Sequence, residues 1–487
     1  MSRPHRPDIA AVTVAAAAAA LSLAALRSPA DDAYWQAAYG RHILAAHALP
    51  AVDTYSWTAA GHPLVVTEWA FDTLMAAAAA TGPWAAFALA FACILALGAC
   101  ALALYTHESR HRGAAGLLTL ALLLSCMPFL TLLPQLASFA LFAAVWAVLE
   151  GARTARAPQR LLLLPPLFLV WANMHGTFYI GLVLVALDAL FSQVRFSQVR
   201  FLPGRVTARY SRATRRHLPW ILAACAAATL VNPYGWRLYA PELGLAFSHF
   251  HLQYIAEFQS PNFHEPFLHF VVLPALLAGL ALAMLTRRRL PARELVATLG
   301  LLAGSLVMVR MLPYALVGLG ALSAAALRGR QQRLRPAPWW QLGLVGAVVA
   351  LVLVRVPPPA WPPTGGAPSA AAAYVRAHLA GRGFNTYEWG GYLLWVWRGD
   401  PKVYVDSRGD MYDSTWVLKT YVALRDVTVD PSRRLLAEGV AWALLPTGTR
   451  VARVLELEGW RTVFHGGPAV VLVPPAAAAP AGRTPGA

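Results

Sequence analysis

Long apolar stretches separated by short polar segments make up most of this chain. The stretches long enough to cross about 30 Å of hydrocarbon fall at 9–26, 84–105, 113–127, 132–149, 161–174, 176–194, 218–231, 266–286, 294–309, 311–327 and 338–355. Segment 68–83 begins with acidic residues, which predicts an outer-face helix leading into the next span rather than a span. The pattern predicts an all-α polytopic membrane bundle of about eleven transmembrane helices over residues 1–355.

The arginines predict the orientation of these helices. With the N-terminus inside, the inner connections carry Arg clusters near residues 110, 153–160, 195–216, 287–293 and 328–335. The outer connections carry only Arg27, Arg41, Arg237 and Arg310. Positive residues are retained on the cytoplasmic side. The pattern therefore favours a cytoplasmic N-terminus and a C-terminus outside.

The composition changes after Arg355. Residues 356–367 form a Pro-rich linker, and 368–475 alternate helical and strand patterns. We predict helices at 368–380, 414–424 and 449–458, strands at 383–387, 403–405 and 442–445, and a hairpin of 462–464 with 469–473. This is a small α/β extracytoplasmic domain, followed by a disordered tail at 476–487.

Composition supports the membrane assignment. The chain of 487 residues is 58% hydrophobic and 13% charged. Its net charge of +17 comes mainly from Arg clusters between apolar runs, which anchor inner loops rather than bind nucleic acid. The N-terminus also resembles a signal peptide with cleavage near Ala30, an alternative to the uncleaved first span.

The first outer loop, residues 27–83, concentrates acidic side chains at a membrane boundary. Carboxylates at that depth are costly unless they pair, bind a metal or handle protons. The acidic candidates are Asp31, Asp32, Asp53 and Glu68. The aromatic residues Tyr34, Trp35, Tyr55 and Trp57 accompany them and also fit an interfacial belt.

Further polar residues collect on the same predicted face. They are Gln135, Asn173, His175, Asn232, Glu257 and Arg310. Asn232 also fits a simple helix-ending turn, and His175 a solvent-facing turn. Arg310 lies between apolar neighbours and needs an anionic partner, either a phosphate or a salt bridge to Glu257 or Glu68.

Together these residues suit transfer at a lipid-borne headgroup. A hydroxyl that attacks a sugar carbon needs a carboxylate to take its proton. A departing phosphate needs cationic stabilisation. We therefore expect the first outer loop and Arg310 to line one chamber that opens to the outer leaflet.

The first outer loop resembles that of GT-C superfamily glycosyltransferases, in a bacterial branch. The resemblance rests on Asp31-Asp32 after the first helix, then Tyr34, Gly40-Arg41 and the Pro50…Asp53 turn. It implies a polyprenyl-phosphate-sugar donor, with Asp31 as base and Asp32 in support. Asp53 and Glu68 are weaker catalytic carry-overs, and a divalent cation (Mg²⁺ or Mn²⁺) would bind Asp31 and Glu68.

The C-terminal segment contains a second short resemblance. Tyr387-Glu-Trp389-Gly-Gly-Tyr392 resembles the acceptor motif of oligosaccharyltransferase catalytic subunits, but its spelling departs from Trp-Trp-Asp-Tyr-Gly. With Asp406 and Arg408 it implies an acceptor region formed by Trp389, Tyr392, Asp406 and Arg408. A packed turn with structural glycines is the alternative.

The sequence thus predicts a multi-pass enzyme of the bacterial inner membrane with a periplasmic C-terminal domain. It would transfer a hexose or pentose from a polyprenyl-phosphate carrier to a lipid or cell-envelope glycan on the outer face. A non-catalytic transporter or envelope-assembly scaffold is the alternative. Transporters place ionisable groups within their spans, where Asp188 is a rare example here.

Overall fold

The computed structural model describes residues 8–27, 31–154, 157–193, 212–241, 244, 248–285, 290–328, 356–362, 366–413 and 415–475. The chain divides into two compact units. The bundle unit combines Met1–Ser28 with Pro83–Pro359, and the sheet unit combines Pro29–Gly82 with Ala360–Ala487. The predicted span 338–355 and the tail 476–487 lie outside the described residues.

Apolar helices build the bundle unit, and each predicted span before residue 330 contains one. Within the described residues, four helices are long and apolar enough to cross a membrane: Ile9–Arg27, Pro83–Ser109, Pro134–Arg153 and Val309–Ala326. The last of these includes a short 3-10 turn before its α-helix, Leu312–Ala326, and the third continues to Thr154. The other α-helices of this unit are Arg112–Ser125, Leu164–Met174, Phe178–Gln193, Arg212–Thr229, His249–Tyr254, Leu273–Leu285 and Ala292–Val307. The total of eleven spans stays a prediction.

Short turns interrupt several of these helices. A 3-10 helix, Pro158–Leu163, precedes Leu164–Met174, and a π-helix, Leu268–Val272, precedes Leu273–Leu285. Another 3-10 turn, Val309–Met311, carries Arg310, and the next helix begins with a proline in its first turn. Proline fits there because the first-turn N–H groups have no partner inside the helix. Arg310 is thereby placed at a helix end.

Aromatic side chains fill the core of the bundle unit. Trp146, Trp171, Phe142 and Phe168 are fully buried, and the rings of Phe142 and Trp146 meet edge to face at 5.7 Å. Such geometry adds attraction beyond the area that is buried. The core therefore fixes the helix ends on which the polar residues lie.

In the sheet unit, the first outer loop is largely helical. Its two helices are Asp32–Ala46 and Trp69–Thr81, the second of which occupies the expected helical segment 68–83. They cross closely at Gly40, where a Cβ atom would lie 1.9 Å from the carbonyl oxygen of Asp72. A side chain at position 40 would force the helices apart.

One four-stranded sheet lies in the sheet unit, in the order β1-β2-β4-β3. The strands are β1 Arg382–Asn385, β2 Val440–Pro446, β3 Arg461–Gly466 and β4 Ala469–Val473. β1 is parallel to β2, and the other two pairings are antiparallel. The predicted hairpin is therefore present as β3 and β4.

The predicted strand at 403–405 is wrong. Val403 exchanges backbone hydrogen bonds with Tyr55 and Trp57, and the Tyr404 N–H donates to the Asn385 side chain at 2.7 Å. These partners leave an isolated bridge between Ser56 and Val403 instead of a strand in the sheet. The extended sequence pattern was real, but the pairing partner is the first outer loop.

The α-helices of the C-terminal segment are Ser369–His378, Tyr387–Trp397, Gly409–Asp413, Val417–Arg425, Pro431–Ala437 and Arg450–Leu457. Residues 387–392 begin a helix, so the packed-turn alternative is wrong about the turn, but its packing is confirmed because Tyr392 lies in the core. Gly390 and Gly391 lie within this helix where other backbone comes close: a Cβ atom would lie 2.1 Å from the Val405 carbonyl oxygen and 2.6 Å from that of Asp31, respectively. The glycines serve close packing rather than a turn.

Candidate functional site

Asp31 stands at the start of the helix Asp32–Ala46, in the sheet unit. Its side chain is exposed and makes no capping hydrogen bond to that helix. Desolvation by the surrounding protein, together with the charge of Glu388, raises the pKa of Asp31 to about 6. A carboxyl group that titrates there is largely ionised at neutral pH, yet basic enough to take a proton.

Aromatic residues surround this position. Tyr34 and Tyr392 meet edge to face with ring centroids 5.3 Å apart. Asp32 accepts a hydrogen bond from the Trp35 indole at 3.0 Å. The first helix of the outer loop therefore packs on the helix that carries Trp389 and Tyr392.

Glu388, the acidic neighbour of Asp31, lies in the first turn of Tyr387–Trp397. Its side chain is exposed, and it accepts a hydrogen bond from the Tyr421 hydroxyl at 3.2 Å. The sequence analysis assigned no role to Glu388, although this residue lies within the motif of residues 387–392. The structure brings this residue into the electrostatic neighbourhood of Asp31.

Asp53, Asp406 and Arg408 form a buried ion network in the sheet unit. Arg408 is 2% exposed. Its Nη1 lies 2.7 Å from Asp53 Oδ1, and its Nη2 lies 2.6 Å from Asp406 Oδ2. Nη1 also donates to the Tyr39 hydroxyl at 2.6 Å. This network ties the first outer loop to the C-terminal segment.

The Asp53 carboxylate accepts several further hydrogen bonds. The Ser56 N–H and hydroxyl both donate to Oδ2, at 2.9 and 2.6 Å. Burial alone would raise the pKa of Asp53, but Arg408 and Ser56 outweigh it and hold the pKa below its ordinary value. A carboxylate held in this way is a poor proton acceptor, so its geometry suits positioning.

Glu68 lies at a separate cleft of the sheet unit. The cleft has a volume of about 30 Å³ and is lined by Trp35, Tyr39, Leu64, Val65, Val66, Thr67, Glu68, Asp72, Arg408 and Met411. Glu68 Oε2 accepts a hydrogen bond from Gln36 Nε2 at 2.8 Å. Burial and the charge of Glu68 raise the pKa of Asp72 well above its ordinary value.

The expected cation site on Asp31 and Glu68 stays a prediction. Glu388 is the carboxyl group whose charge acts on Asp31, whereas Glu68 acts on Asp72. No reaction step is therefore assigned to a cation held by both.

Arg310 belongs to the bundle unit, as do the remaining predicted binding residues. Its Nη1 lies 3.4 Å from Glu257 Oε1, so the alternative of a salt bridge is realised. Its guanidinium also lies 4.5 Å from the centre of the Phe258 ring. The Arg310 side chain is 22% exposed and Glu257 47%, so solvent reaches the pair and weakens it.

His175 is buried, which rules out the solvent-facing alternative. Its Nδ1 lies 2.9 Å from both Ser138 Oγ and Thr177 Oγ1. Ser138 also accepts from the Trp171 indole at 2.7 Å, and Thr177 lies 2.8 Å from the Tyr314 hydroxyl. This network joins the turn after Leu164–Met174 to the helix that follows Arg310.

The other predicted residues near these helix ends mainly bind backbone. Asn173 Nδ2 donates to the Val231 carbonyl at 2.9 Å. Asn232 donates to the Thr229 carbonyl at 2.8 Å and accepts from the Tyr234 N–H at 2.8 Å, as its turn alternative predicts. Gln135 is partly buried in the first turn of Pro134–Thr154.

A buried charge cluster that sequence reasoning missed lies at other helix ends of the bundle unit. Its carboxylates Glu108, Glu150 and Glu294 offer ligand atoms within 4.8 Å of one another, so the group can hold a metal ion. In the structure the Arg153 guanidinium contacts all three, at 3.0 Å for Glu108 and 2.6 Å for Glu294. A guanidinium thus already occupies the centre of the triad.

Two more arginines extend this cluster. Arg293 Nε lies 3.5 Å from Asp188 Oδ1, and Arg328 contacts Glu108. Arg153, Arg293 and Arg328 come from three of the predicted inner Arg clusters. The spacing of Glu150 and Arg153, one helical turn apart, was the available sequence signal.

Comparison with known proteins shows a similarity in fold. No family model and no curated protein matches the chain. A matching solved structure is the crystal structure of the Archaeoglobus fulgidus oligosaccharyltransferase, tethered by a disulfide bond to an acceptor peptide containing the NVT sequon. The TM-score is 0.52 at 11% identity, covering 90% of this chain and 69% of that chain. The chain therefore has a fold similar to that of this oligosaccharyltransferase.

Proposed function

We propose that this protein is a membrane glycosyltransferase that uses a polyprenyl-phosphate-linked sugar. The acceptor would be a lipid or cell-envelope glycan at the outer face of the bacterial inner membrane. The observation that carries the proposal is Asp31, an exposed carboxyl group with a pKa of about 6 beside the helix Tyr387–Trp397. The likeness in fold to an oligosaccharyltransferase supports the same reading.

The proposed reaction is an inverting substitution at the sugar. The acceptor hydroxyl oxygen attacks the anomeric carbon while Asp31 takes its proton. The bond between that carbon and the phosphate oxygen breaks, and the polyprenyl phosphate leaves with the electron pair. Asp32, held by Trp35, supports Asp31 by fixing the start of its helix.

Arg310 is the proposed contact for the donor phosphate. A guanidinium matches two phosphate oxygens in one plane. Glu257 holds Arg310 through a long, solvent-exposed ion pair, which a phosphate with more charge can replace. His175, Gln135, Asn173 and Asn232 would shape the surrounding helix ends.

The acceptor region is proposed on the helix Tyr387–Trp397. Trp389 is partly exposed, whereas Tyr392 is buried against Tyr34. Trp389 is therefore the better candidate for direct contact with an acceptor. Asp406 and Arg408 act at a distance, because both are buried in the ion network with Asp53.

A donor panel tests this function. Purified full-length protein in lipid nanodiscs is incubated with polyprenyl-phosphate-linked hexoses and pentoses, and release of polyprenyl phosphate is measured. We expect release from at least one donor when a cell-envelope lipid fraction is present as acceptor. Folded protein that consumes no donor in the panel would contradict the proposal and favour a non-catalytic transporter or scaffold.

A further inference from the structure

Asp72 is an unusual titratable side chain of the sheet unit. It is fully buried, and both of its carboxylate oxygens lack a hydrogen-bond partner among the described residues. A buried carboxylate normally survives only when it is paired, hydrogen-bonded or bound to a metal. Asp72 also lines the cleft described above. Asp72 therefore either holds a proton or binds a partner that the described protein groups around it do not supply.

A side-chain oxygen of Gln36, which contacts Glu68, also lacks a hydrogen-bond partner among the described residues. Gln36 is 3% exposed, and its Nε2 donates to Glu68 Oε2 at 2.8 Å. Its Oε1 is buried and has no hydrogen-bond partner in the described part of the chain. An amide oxygen of this kind is a neutral ligand for a hard cation.

The charges near Asp72 increase its need for a cationic partner. Glu68 acts on Asp72 as a like charge. The nearby cation is Arg408, but its guanidinium is already bound to Asp53 and Asp406. Two carboxylates thus neutralise Arg408 fully, and its charge does not compensate Glu68 and Asp72.

The helix packing explains why Asp72 is kept in this position. The close crossing at Gly40 presses the main chain of residue 72 against the helix Asp32–Ala46. Gln36 lies one turn before Gly40 on that helix, and its side chain contacts Glu68, which lines the cleft together with Asp72. This arrangement brings oxygen ligands together from both elements of the first outer loop.

We propose that Asp72, Glu68 and Gln36 Oε1 bind a divalent cation at this cleft. Oxygen ligands of this kind suit Mg²⁺, Mn²⁺ or Ca²⁺, and water within the cleft completes the coordination. The cation links the helix Asp32–Ala46 to the helix Trp69–Thr81. The proposal does not depend on glycosyl transfer, because it concerns binding and the stability of the sheet unit.

The test uses full-length protein that has been treated with a chelator and placed in nanodiscs of zwitterionic lipid. The protein is titrated with Mn²⁺, and the concentration of free Mn²⁺ is measured by electron paramagnetic resonance. Wild type is expected to bind Mn²⁺ and to unfold at a higher temperature when Mn²⁺ is present. Asp72→Asn and Glu68→Gln should each weaken this binding by at least about ten-fold. Asp400→Asn, which changes an exposed acid of the same unit, should bind as wild type does.

Folding of the variants is checked without metal. Asp72→Asn replaces a buried carboxyl group, whose ionised form burial and Glu68 disfavour, by a neutral amide of similar shape, so its unfolding temperature without Mn²⁺ should be no lower than that of wild type. Equal Mn²⁺ affinity in Asp72→Asn and wild type would overturn the proposal. So would loss of binding in Glu150→Gln alone, because that result places the cation at the buried triad of the bundle unit.

Proton sharing between Glu68 and Asp72 is the competing arrangement. It predicts an infrared carbonyl band of a protonated carboxyl group that disappears in Asp72→Asn. If that band persists in wild type at saturating Mn²⁺, Asp72 holds a proton rather than a cation, and the proposal fails. Loss of the band on adding Mn²⁺ supports the cation site.

Discussion

Gly391 lies directly against the main chain of Asp31: a Cβ atom on Gly391 would come within 2.6 Å of the Asp31 carbonyl oxygen. The helix that carries the proposed acceptor residues therefore touches the backbone of the proposed base. The same helix carries Glu388, whose charge helps to raise the pKa of Asp31. The helix Tyr387–Trp397 therefore packs against the backbone of Asp31 and also carries a charge that raises the pKa of Asp31.

Replacing Gly391 by Ala should push Asp31 away from this helix. We expect Gly391→Ala to destabilise the protein by about 1–3 kcal/mol and to lower the rate of transfer. Gly300→Ala is the matched control, because a Cβ atom there meets nothing within 4 Å; it should be neutral or stabilising by up to about 1 kcal/mol. Thermal unfolding and donor turnover are measured for both. Equal stability and equal turnover in the two variants would refute the proposed role of the contact between Gly391 and Asp31.

The decrease in turnover at low pH should reflect the protonation of Asp31. The proposed base must be ionised, so turnover should rise as the pH increases through about 6. Glu388→Gln removes a like charge, which lowers the pKa of Asp31 and moves this rise to lower pH. An unchanged profile in Glu388→Gln would show that another group controls the rate. Asp400→Asn serves as the control because its side chain is exposed.

The ion network around Arg408 should dominate the stability of the sheet unit. Arg408→Met leaves Asp53 and Asp406 buried without their cation, which should cost about 3–5 kcal/mol of unfolding free energy. Arg425→Met removes an exposed pair with Asp426, with side chains 42% and 44% exposed, and should cost at most about 1 kcal/mol. Chemical denaturation of both variants gives these values, and similar losses would contradict the account.

The pH dependence of this network has a definite sign. The folded protein holds the pKa of Asp53 below its ordinary value. The stabilisation is therefore present above the pKa of the unfolded chain, near 4, and is lost as the pH falls through the folded pKa. Arg408→Met removes the cation that lowers the pKa of Asp53, so burial should raise that pKa in the variant. Acidification should therefore stabilise Arg408→Met relative to wild type.

The apolar stretches predicted the helices of the bundle unit well, because burial of a whole helix in lipid is a local property of sequence. The strand at 403–405 was wrong, since its pattern did not reveal that the first outer loop is its partner. The helix Tyr387–Trp397 was missed as a helix because two adjacent glycines are typical of turns. Here they make room for Val405 and Asp31.

The sequence identified the candidate residues by their chemical type, but it did not identify the residues that they interact with. Asp31 stands beside Glu388, and Asp53 beside Arg408, through contacts between distant parts of the sequence. No local pattern encodes such pairs. In the charge cluster of the bundle unit, only the pair Glu150 and Arg153 has a local spacing signal, whereas Glu108 and Glu294 join it from distant parts of the sequence.

Arg310 should act on the donor rather than on folding. Arg310→Ala is expected to raise the KM for the polyprenyl-linked donor by about 10- to 100-fold, the effect of losing a charged hydrogen bond. Arg310→Lys should show a smaller increase, because it keeps the charge but loses the planar fork. Arg237→Ala, an exposed residue, is the control. An unchanged donor KM in Arg310→Ala would remove the proposed phosphate contact.

Asp31→Asn offers the most direct test of the catalytic assignment. The folded state raises the pKa of Asp31, so ionised Asp31 is unfavourable for folding above about pH 6. The variant should then unfold no earlier than wild type at pH 7.5, which separates catalysis from folding. With the donor that wild type uses, we predict that folded Asp31→Asn releases polyprenyl phosphate at least about 100-fold more slowly. Release at the wild-type rate would contradict the assignment of Asp31 as the base.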